Sequence, residues 1–251
     1  MLKEAVYRTL DVLTFRRGIR RRFSGETIRL PPRWSRYFKG DYEPQTFQFL
    51  RETLNPGDTF LDIGAHIGLF SVVAAQIVGD SGRVFSFEPT PFTRKVLSDV
   101  LRRNRVEKTV EVRAEAVGLE SGTAEFFDSG DVISVVNSLI SDERKGTRYE
   151  VSVVSLDSFV QAHELTVRSV KVDVEGAEYD FLRGGIVTLG EQKPEVLLSI
   201  HPPFIPEPVA TIPKIWDLVQ SIGYTIRLNG VSMTRSDFCS RTELFDVVLS
   251  A

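Results

Sequence analysis

The 251-residue chain has one cysteine, Cys239, and three histidines. It also has no apolar run near the roughly 20 residues that a membrane-spanning helix needs. One cysteine excludes an intrachain disulfide and any cysteine cluster for a metal within one chain. Three histidines leave little material for an all-protein zinc site. The N-terminus alternates charged and apolar residues and lacks an apolar h-region, so no signal peptide is expected and cytoplasmic residence is the default. Repeats and low-complexity segments are absent as well.

What is present is ordinary for a globular protein, with 42% apolar and 26% charged residues. The length suits one large α/β domain with additions and a substantial core. The net charge of −3 conceals an asymmetry: residues 1–40 carry eleven Lys/Arg against three acids, a net +8 that leaves −11 for residues 41–251. A basic arm on an acidic body can meet an anionic substrate, a membrane surface, the body itself or a second copy in a homodimer.

Periodicity places a helical face in residues 4–17 (Val6, Leu10, Leu13, Phe15) and a short extended piece in 23–30. Trp34, Tyr37 and Phe38 are expected to pack on the main domain. A helix over 44–54 points Phe47, Leu50 and Leu54 inward and ends at Asn55-Pro56-Gly57. Strand 59–63, helix 67–78, strand 83–87, helix 91–103 and strand 109–114 then alternate with short joints, the first half of a doubly wound sheet. In the first of these helices Leu69, Val72, Val73, Gln76 and Ile77 are spaced to face the sheet. Segments 122–127 and 149–154 read as an antiparallel pair around a polar loop, 128–146, that suits a substrate lid. Strand 168–174, helix 177–183, strand 195–200, helix 211–221 and strands 224–228 and 244–249 complete the chain. The last two read as a terminal hairpin, making the sheet mixed.

In an open parallel sheet, ligands sit beyond the carboxyl ends of the strands. The unusual polar residues collect at those ends: Asp62 and Gly64, Glu88, Glu115, Asp173 and Glu175, and His201. Asp62-Ile63-Gly64 turns a strand into a helix, with Gly64 and Gly68 giving an Asp-x-Gly-x-x-x-Gly spacing that differs from the dinucleotide fingerprint. Glu88 ends the second of these strands, where both oxygens of a carboxylate are placed to accept the paired hydroxyls of a ribose. That acid alone does not separate a methyl-donor site from a nicotinamide site.

LDIGAHIGLFS, FSFEPTP, VKVDVEGAE and LRGG, taken together and in this order, resemble the FkbM-type family of S-adenosylmethionine-dependent O-methyltransferases. The resemblance covers roughly residues 40–251. It implies a doubly wound, mostly parallel seven-stranded sheet of the class I methyltransferase type, with an antiparallel terminal strand. Residues 1–43 become a basic N-terminal extension packing on a methyltransferase domain over 44–251. It further implies S-adenosyl-L-methionine as cofactor. Asp62, Gly64, Ala65, His66 and Gly68 lie around its methionine part, Glu88 and Pro89 at the ribose, Glu115, Ala116 and Val117 near the adenine, and Glu43, with Tyr42, above it. The chain departs from the family pattern at His66, where asparagine is common, and at Ser199-Ile200-His201, where a glutamate usually precedes the histidine.

Methyl transfer is an in-line displacement that needs an aligned acceptor and somewhere for its proton to go. Asp173 is the expected hydrogen-bond acceptor or base, Lys171 shares its strand parity and can pair with it, and His201 is the histidine best placed as a base. Glu175, Asn137 and Ser138 are expected at the acceptor, with Glu175 alternatively capping the helix over 177–183. No metal ligands are assigned, although Asp173, Glu175 and His201 could converge on a divalent ion. The expected acceptor is a hydroxyl on a sugar, polyketide, or nucleotide- or lipid-linked metabolite. Nucleic acid is not expected, because no basic stripe lies outside the first 40 residues. No stable membrane insertion is expected, and peripheral contact by the basic arm stays open. The competing readings are a catalytically idle cofactor-binding or scaffold protein of the same fold and a nicotinamide-dependent oxidoreductase. The second is disfavoured by the glycine spacing and by Arg183 standing where a Tyr-x-x-x-Lys pair with Tyr179 would need lysine.

Overall fold

Short apolar runs bounded by glycine, proline and charged turns make the elements of this chain, and a computed structural model describes them for residues 2–15, 17–38, 42–128 and 147–251. Asn137 and Ser138, with nearly all of the expected lid, lie outside the described residues. The N-terminal part runs through α1 (Leu2–Leu13), β1 (Ile19–Phe23) and β2 (Glu26–Leu30), so the expected extended piece is one arm of a hairpin. It continues through α2 (Pro44–Thr53), β3 (Thr59–Ile63), α3 (Leu69–Val78), β4 (Arg83–Phe87), α4 (Pro91–Asn104), β5 (Val110–Arg113), β6 (Ala116–Gly118), β7 (Gly122–Asp128) and β8 (Thr147–Ser155). The remainder is α5 (Leu156–Ala162), β9 (Ser169–Val172), α6 (Glu178–Gly184), α7 (Ile186–Gln192), β10 (Glu195–Ile200), α8 (Pro208–Ser221), β11 (Thr225–Leu228), β12 (Val231–Ser232), α9 (Arg235–Cys239) and β13 (Phe245–Ser250).

The main sheet has the order β12-β11-β13-β10-β9-β3-β4-β5, with β10, β9, β3, β4 and β5 parallel and β13 antiparallel to both its neighbours. This is the mostly parallel class I methyltransferase sheet, with the two-residue β12 as an eighth strand at the edge. The terminal pair is antiparallel as expected, Thr225 facing Ser250, but β12 and α9 intervene between its strands. β6, β7 and β8 form a separate small sheet in which β7 and β8 are antiparallel and β6 is parallel to β8.

Chain order reverses at β3, which lies between β4 and β9. That switch point opens a crevice at the carboxyl ends of the strands. On one side of the sheet α3 is buried almost all round, because α2, α4 and the β1–β2 hairpin enclose it as well as the sheet. Gln76, expected to face the sheet, is instead exposed on its outer side. Phe23, Ile28, Leu30, Trp34 and Phe38 belong to the same apolar cluster as α2, α3 and α4. The other side of the sheet packs on α5, α6, α7 and α8. Ser155 caps α5, its hydroxyl oxygen accepting from the Ser158 amide. Asp157 accepts from the Val187 and Thr188 amides at the start of α7, a helix not foreseen in the sequence.

Candidate active site at the carboxyl ends of the strands

The turn after β3 is built by two glycines with different duties. Gly64 has φ 76°, and a Cβ there would stand 1.9 Å from the backbone oxygen of Asp173. Its bareness therefore lets the ends of β3 and β9 close together, which also brings Asp173 to the crevice. Gly68 has φ 82°, and a Cβ would meet Leu97 of α4 at 2.2 Å, so it serves helix packing. Between them His66 is also left-handed, with φ 50°. Asparagine and histidine are both enriched in that conformation, which explains how histidine replaces the family's asparagine without breaking the turn. The His66 ring sits against Trp34 and Phe38, and burial lowers its pKa to about 4, so it is neutral near pH 7.

A chain of charged side chains crosses the crevice floor. Asp62 is fully buried, and its Oδ2 accepts from the Ser71 hydroxyl at 2.5 Å, which in turn accepts from Ser86. Its Oδ1 has no hydrogen-bond partner, and the Lys171 ammonium stands 3.8 Å from it. Lys171 donates to the Gly64 carbonyl at 3.1 Å and to Asp173 Oδ2 at 3.2 Å, the pairing its strand parity suggested. The other oxygen of Asp173 faces His201 Nε2 at 3.3 Å, and His201 Nδ1 bonds Glu178 at 2.7 Å. Glu43 approaches from the segment before α2, near enough to act on Lys171, and its carboxyl bonds the Tyr42 hydroxyl.

Burial works against every one of these charges, and the neighbours decide the outcome. For Lys171 burial would lower the pKa, but Asp173, Asp62 and Glu43 together raise it, so the ammonium stays charged. Asp173 is opposed by burial yet held below the usual carboxylate range by Lys171 and His201. His201 is raised, the Glu178 hydrogen bond and the charges of Asp173 and Glu178 outweighing burial. Asp62 and Glu43 are raised, chiefly by burial. Three carboxyl groups thus surround the single ammonium of Lys171, and of these Asp173 is the one held ionised below the usual range.

Several expectations change in detail. His201 is buried with both nitrogens against carboxylates, so Asp173, whose side chain is 31% exposed, stands between it and any acceptor. Lys171 is likewise buried behind Asp173. Glu175 is buried in a left-handed turn, and Glu178, not Glu175, accepts from the Gly176 amide ahead of α6. The two oxygens of Glu88 are already engaged, Oε2 by the His66 amide at 3.0 Å and Oε1 by the Thr90 amide at 2.9 Å, and the Thr90 hydroxyl bonds the same carboxylate. Arg94 of α4 ties down the Glu88 and Pro89 carbonyls. Glu115 pairs with Arg113. Ala116 and Val117 lie in buried β6, with Val117 inside the main core.

The residue that sequence reasoning missed is Glu178. It stands in the VEGAE run, but only the fold shows that its carboxylate meets His201. A small cavity lies against the turn, bounded by Gly64, His66, Lys171 and Asp173 and roofed by Phe38 and Tyr42. Tyr42 stacks on Phe70 with 6.4 Å between centroids. Among the described residues no group of three or more His, Cys, Asp or Glu side chains is arranged to hold a metal ion.

The family model described as Methyltransferase FkbM domain matches residues 62–226. The chain belongs to the FkbM methyltransferase family. Of solved structures, the methyltransferase FkbM of Methylobacillus flagellatus KT is 17% identical with a TM-score of 0.50, over 82% of this chain and 51% of that one. This FkbM-family chain thus spans about half the length of that protein. The precorrin-6y C5,15-methyltransferase of Geobacter metallireducens GS-15 is 13% identical, with a TM-score of 0.48 over 84% of this chain and 88% of its own. A SAM-dependent O-methyltransferase of Thermotoga maritima is 14% identical, with a TM-score of 0.46 over 93% and 78%. Comparison with curated proteins finds no match.

Proposed function

We propose that this chain transfers a methyl group from S-adenosyl-L-methionine to a hydroxyl oxygen of a small acceptor, a sugar, polyketide, or nucleotide- or lipid-linked metabolite. The observation that carries the reading is the carboxyl-rich floor of the crevice, where Asp62, Glu43 and the ionised Asp173 gather around one ammonium beside a glycine turn. A cofactor bearing a sulfonium and an α-ammonium complements that charge, whereas a nicotinamide dinucleotide, with two phosphates, does not. The orphaned Oδ1 of Asp62 fits a cationic ligand nearby. Gly64, Ala65, His66 and Gly68 hold the methionine end, Glu88 takes the ribose hydroxyls beside Pro89, and Tyr42 and Glu43 cover the site. Glu115 borders the adenine side. The catalytic unit is residues 44–251, with residues 1–43 packed on it.

When bound, this cofactor supplies an electrophilic methyl group on a positively charged sulfur. The protein aligns the acceptor and takes its proton. Asp173 is the group that reaches the acceptor. An alcohol oxygen becomes strongly acidic as its bond to the incoming carbon forms, so a carboxylate with a depressed pKa is base enough. Lys171 and His201 hold Asp173 in place, and Glu178 fixes His201; these are positioning residues.

Calorimetry with S-adenosylmethionine, its demethylated product and NADH tests the cofactor, and failure of the first two to bind would sink the methyl-transfer reading. Asp173→Asn should keep cofactor affinity while slowing transfer of labelled methyl to a hydroxyl acceptor by about 10²–10⁴-fold. Equal rates in the variant would remove Asp173 from the chemistry.

A further inference from the structure

At the opposite end of α3 and α4 from the crevice, the β1–β2 hairpin and the carboxyl ends of those helices enclose a recess of about 480 Å³. Its lining is the ion-paired Arg103, four further arginines, Arg17, Arg20, Arg29 and Arg105, and Thr27, Gln76 and Asn104. Arg20 and Arg29 face each other directly across the hairpin, and like charges so placed weaken a strand pair. None of the four arginines has a carboxylate within ion-pair distance among the described residues. The acids nearby, Asp11 and Asp99, are both bound to Arg103 at the edge of the lining and leave the other four uncompensated. Partial desolvation and the charges of Arg20, Arg17 and Arg105 lower the Arg29 guanidinium from its ordinary value, which reports how closely they converge. Asn104 fixes the hairpin there, accepting from the Arg29 amide at 2.8 Å and donating to its carbonyl at 2.9 Å.

A second feature adjoins the recess. The bond between Asp11 and Arg103 anchors α1 beside it, and α1 and its following turn leave Val6, Val12, Leu13 and Phe15 in solvent, with Phe15 85% exposed. Phe15 precedes Arg17 by two residues. Large apolar side chains beside uncompensated cations form the pattern of a surface that lies in a membrane interface. A soluble polyanion would use the cations but not the apolar residues.

We propose that this face docks on an anionic phospholipid surface, with headgroup phosphates entering the four-arginine recess and Val12, Leu13 and Phe15 inserting beside them. The complementarity is one of charge: the arm is net +8 on a body of −11, so the protein approaches a negative bilayer arm first. Because the recess lies at the far ends of α3 and α4, docking leaves the crevice directed away from the bilayer.

Flotation of the full chain with vesicles tests this. Vesicles of phosphatidylcholine with about three-tenths phosphatidylglycerol should carry the protein, pure phosphatidylcholine should not, and added salt should release it. Arg17→Ala with Arg20→Ala should weaken binding about 25-fold, roughly fivefold for each charge. Leu13→Ser with Phe15→Ser, both at exposed sites, should weaken it about tenfold or more. Phe15→Ser alone serves if the double variant loses its circular dichroism spectrum. A wild-type protein that stays unbound on anionic vesicles overturns the proposal. So does vesicle binding indifferent to the Leu13 and Phe15 changes, or saturable binding of pyrophosphate without any vesicle binding, since either makes the recess a site for soluble anions.

Discussion

Glu88 shows how much one side chain's surroundings decide. Burial pushes its pKa up to about 7 against the pull of the Thr90 and His66 amides. A raised carboxyl stays protonated in the folded chain after the unfolded chain has ionised, so its contribution to stability falls between about 4.5 and about 7 and is level above. Ribose hydroxyls donate to the ionised form, so cofactor affinity should strengthen as pH rises through about 7 and then flatten. Calorimetry across that range checks this; Glu88→Gln should bind more weakly by roughly 1.5–3 kcal/mol and show no such dependence. A pH-independent wild type would remove Glu88 from the ribose. His201 gives the same direction with pH for a different reason. Its raised pKa means that its stabilising pair with Glu178 is full below about 6.5 and is lost as pH rises through the folded value. Denaturant midpoints should therefore decline above neutrality in the wild type, and Glu178→Gln should flatten that decline.

At the scale of elements, the turn between β3 and α3 is the most constrained joint. Gly64→Ala forces a Cβ onto the Asp173 backbone and a left-handed conformation on alanine at once. We expect it to cost roughly 3 kcal/mol or more, read from thermal or denaturant unfolding. His66→Asn should stay within about 1 kcal/mol of the wild type, whereas a β-branched His66→Val should lose clearly more, because valine resists φ near 50°. Equal stability of the two variants would show that the turn does not need its left-handed residue. The alternation of strand and helix from Thr59 onward was legible because each element carries its own period and its own glycine or proline stop. β6 and α7 were not, since three buried residues and an undistinguished IVTLGEQ have no local signature apart from the neighbours that bury them.

For the whole molecule, the arm is more than an appendage. Phe23, Ile28, Leu30, Trp34 and Phe38 are buried in the core cluster of α2, α3 and α4. At about 1.5–3 kcal/mol each, their loss would match the entire stability of a typical domain. A chain lacking residues 1–38 should therefore fail to unfold cooperatively in circular dichroism melts. A truncated protein with the wild-type midpoint would show that the cluster adds little. Recognition by the arm is thus tested with substitutions at its exposed residues, where the core is left alone.

Local sequence by itself determined most of the strands and helices and the gathering of acids at strand ends, because periodicity, turn residues and the direction of a parallel sheet are written in the chain. It also marked Lys171 and Asp173 as partners through strand parity. Tertiary structure alone decided which of the gathered groups faces outward. Asp173 stands in front and His201 behind it; Glu178, not Glu175, meets the histidine; and Val117 turns into the core. Those outcomes depend on how separate elements approach one another and on the burial that results, and neither quantity exists until the sheet and its helices are assembled.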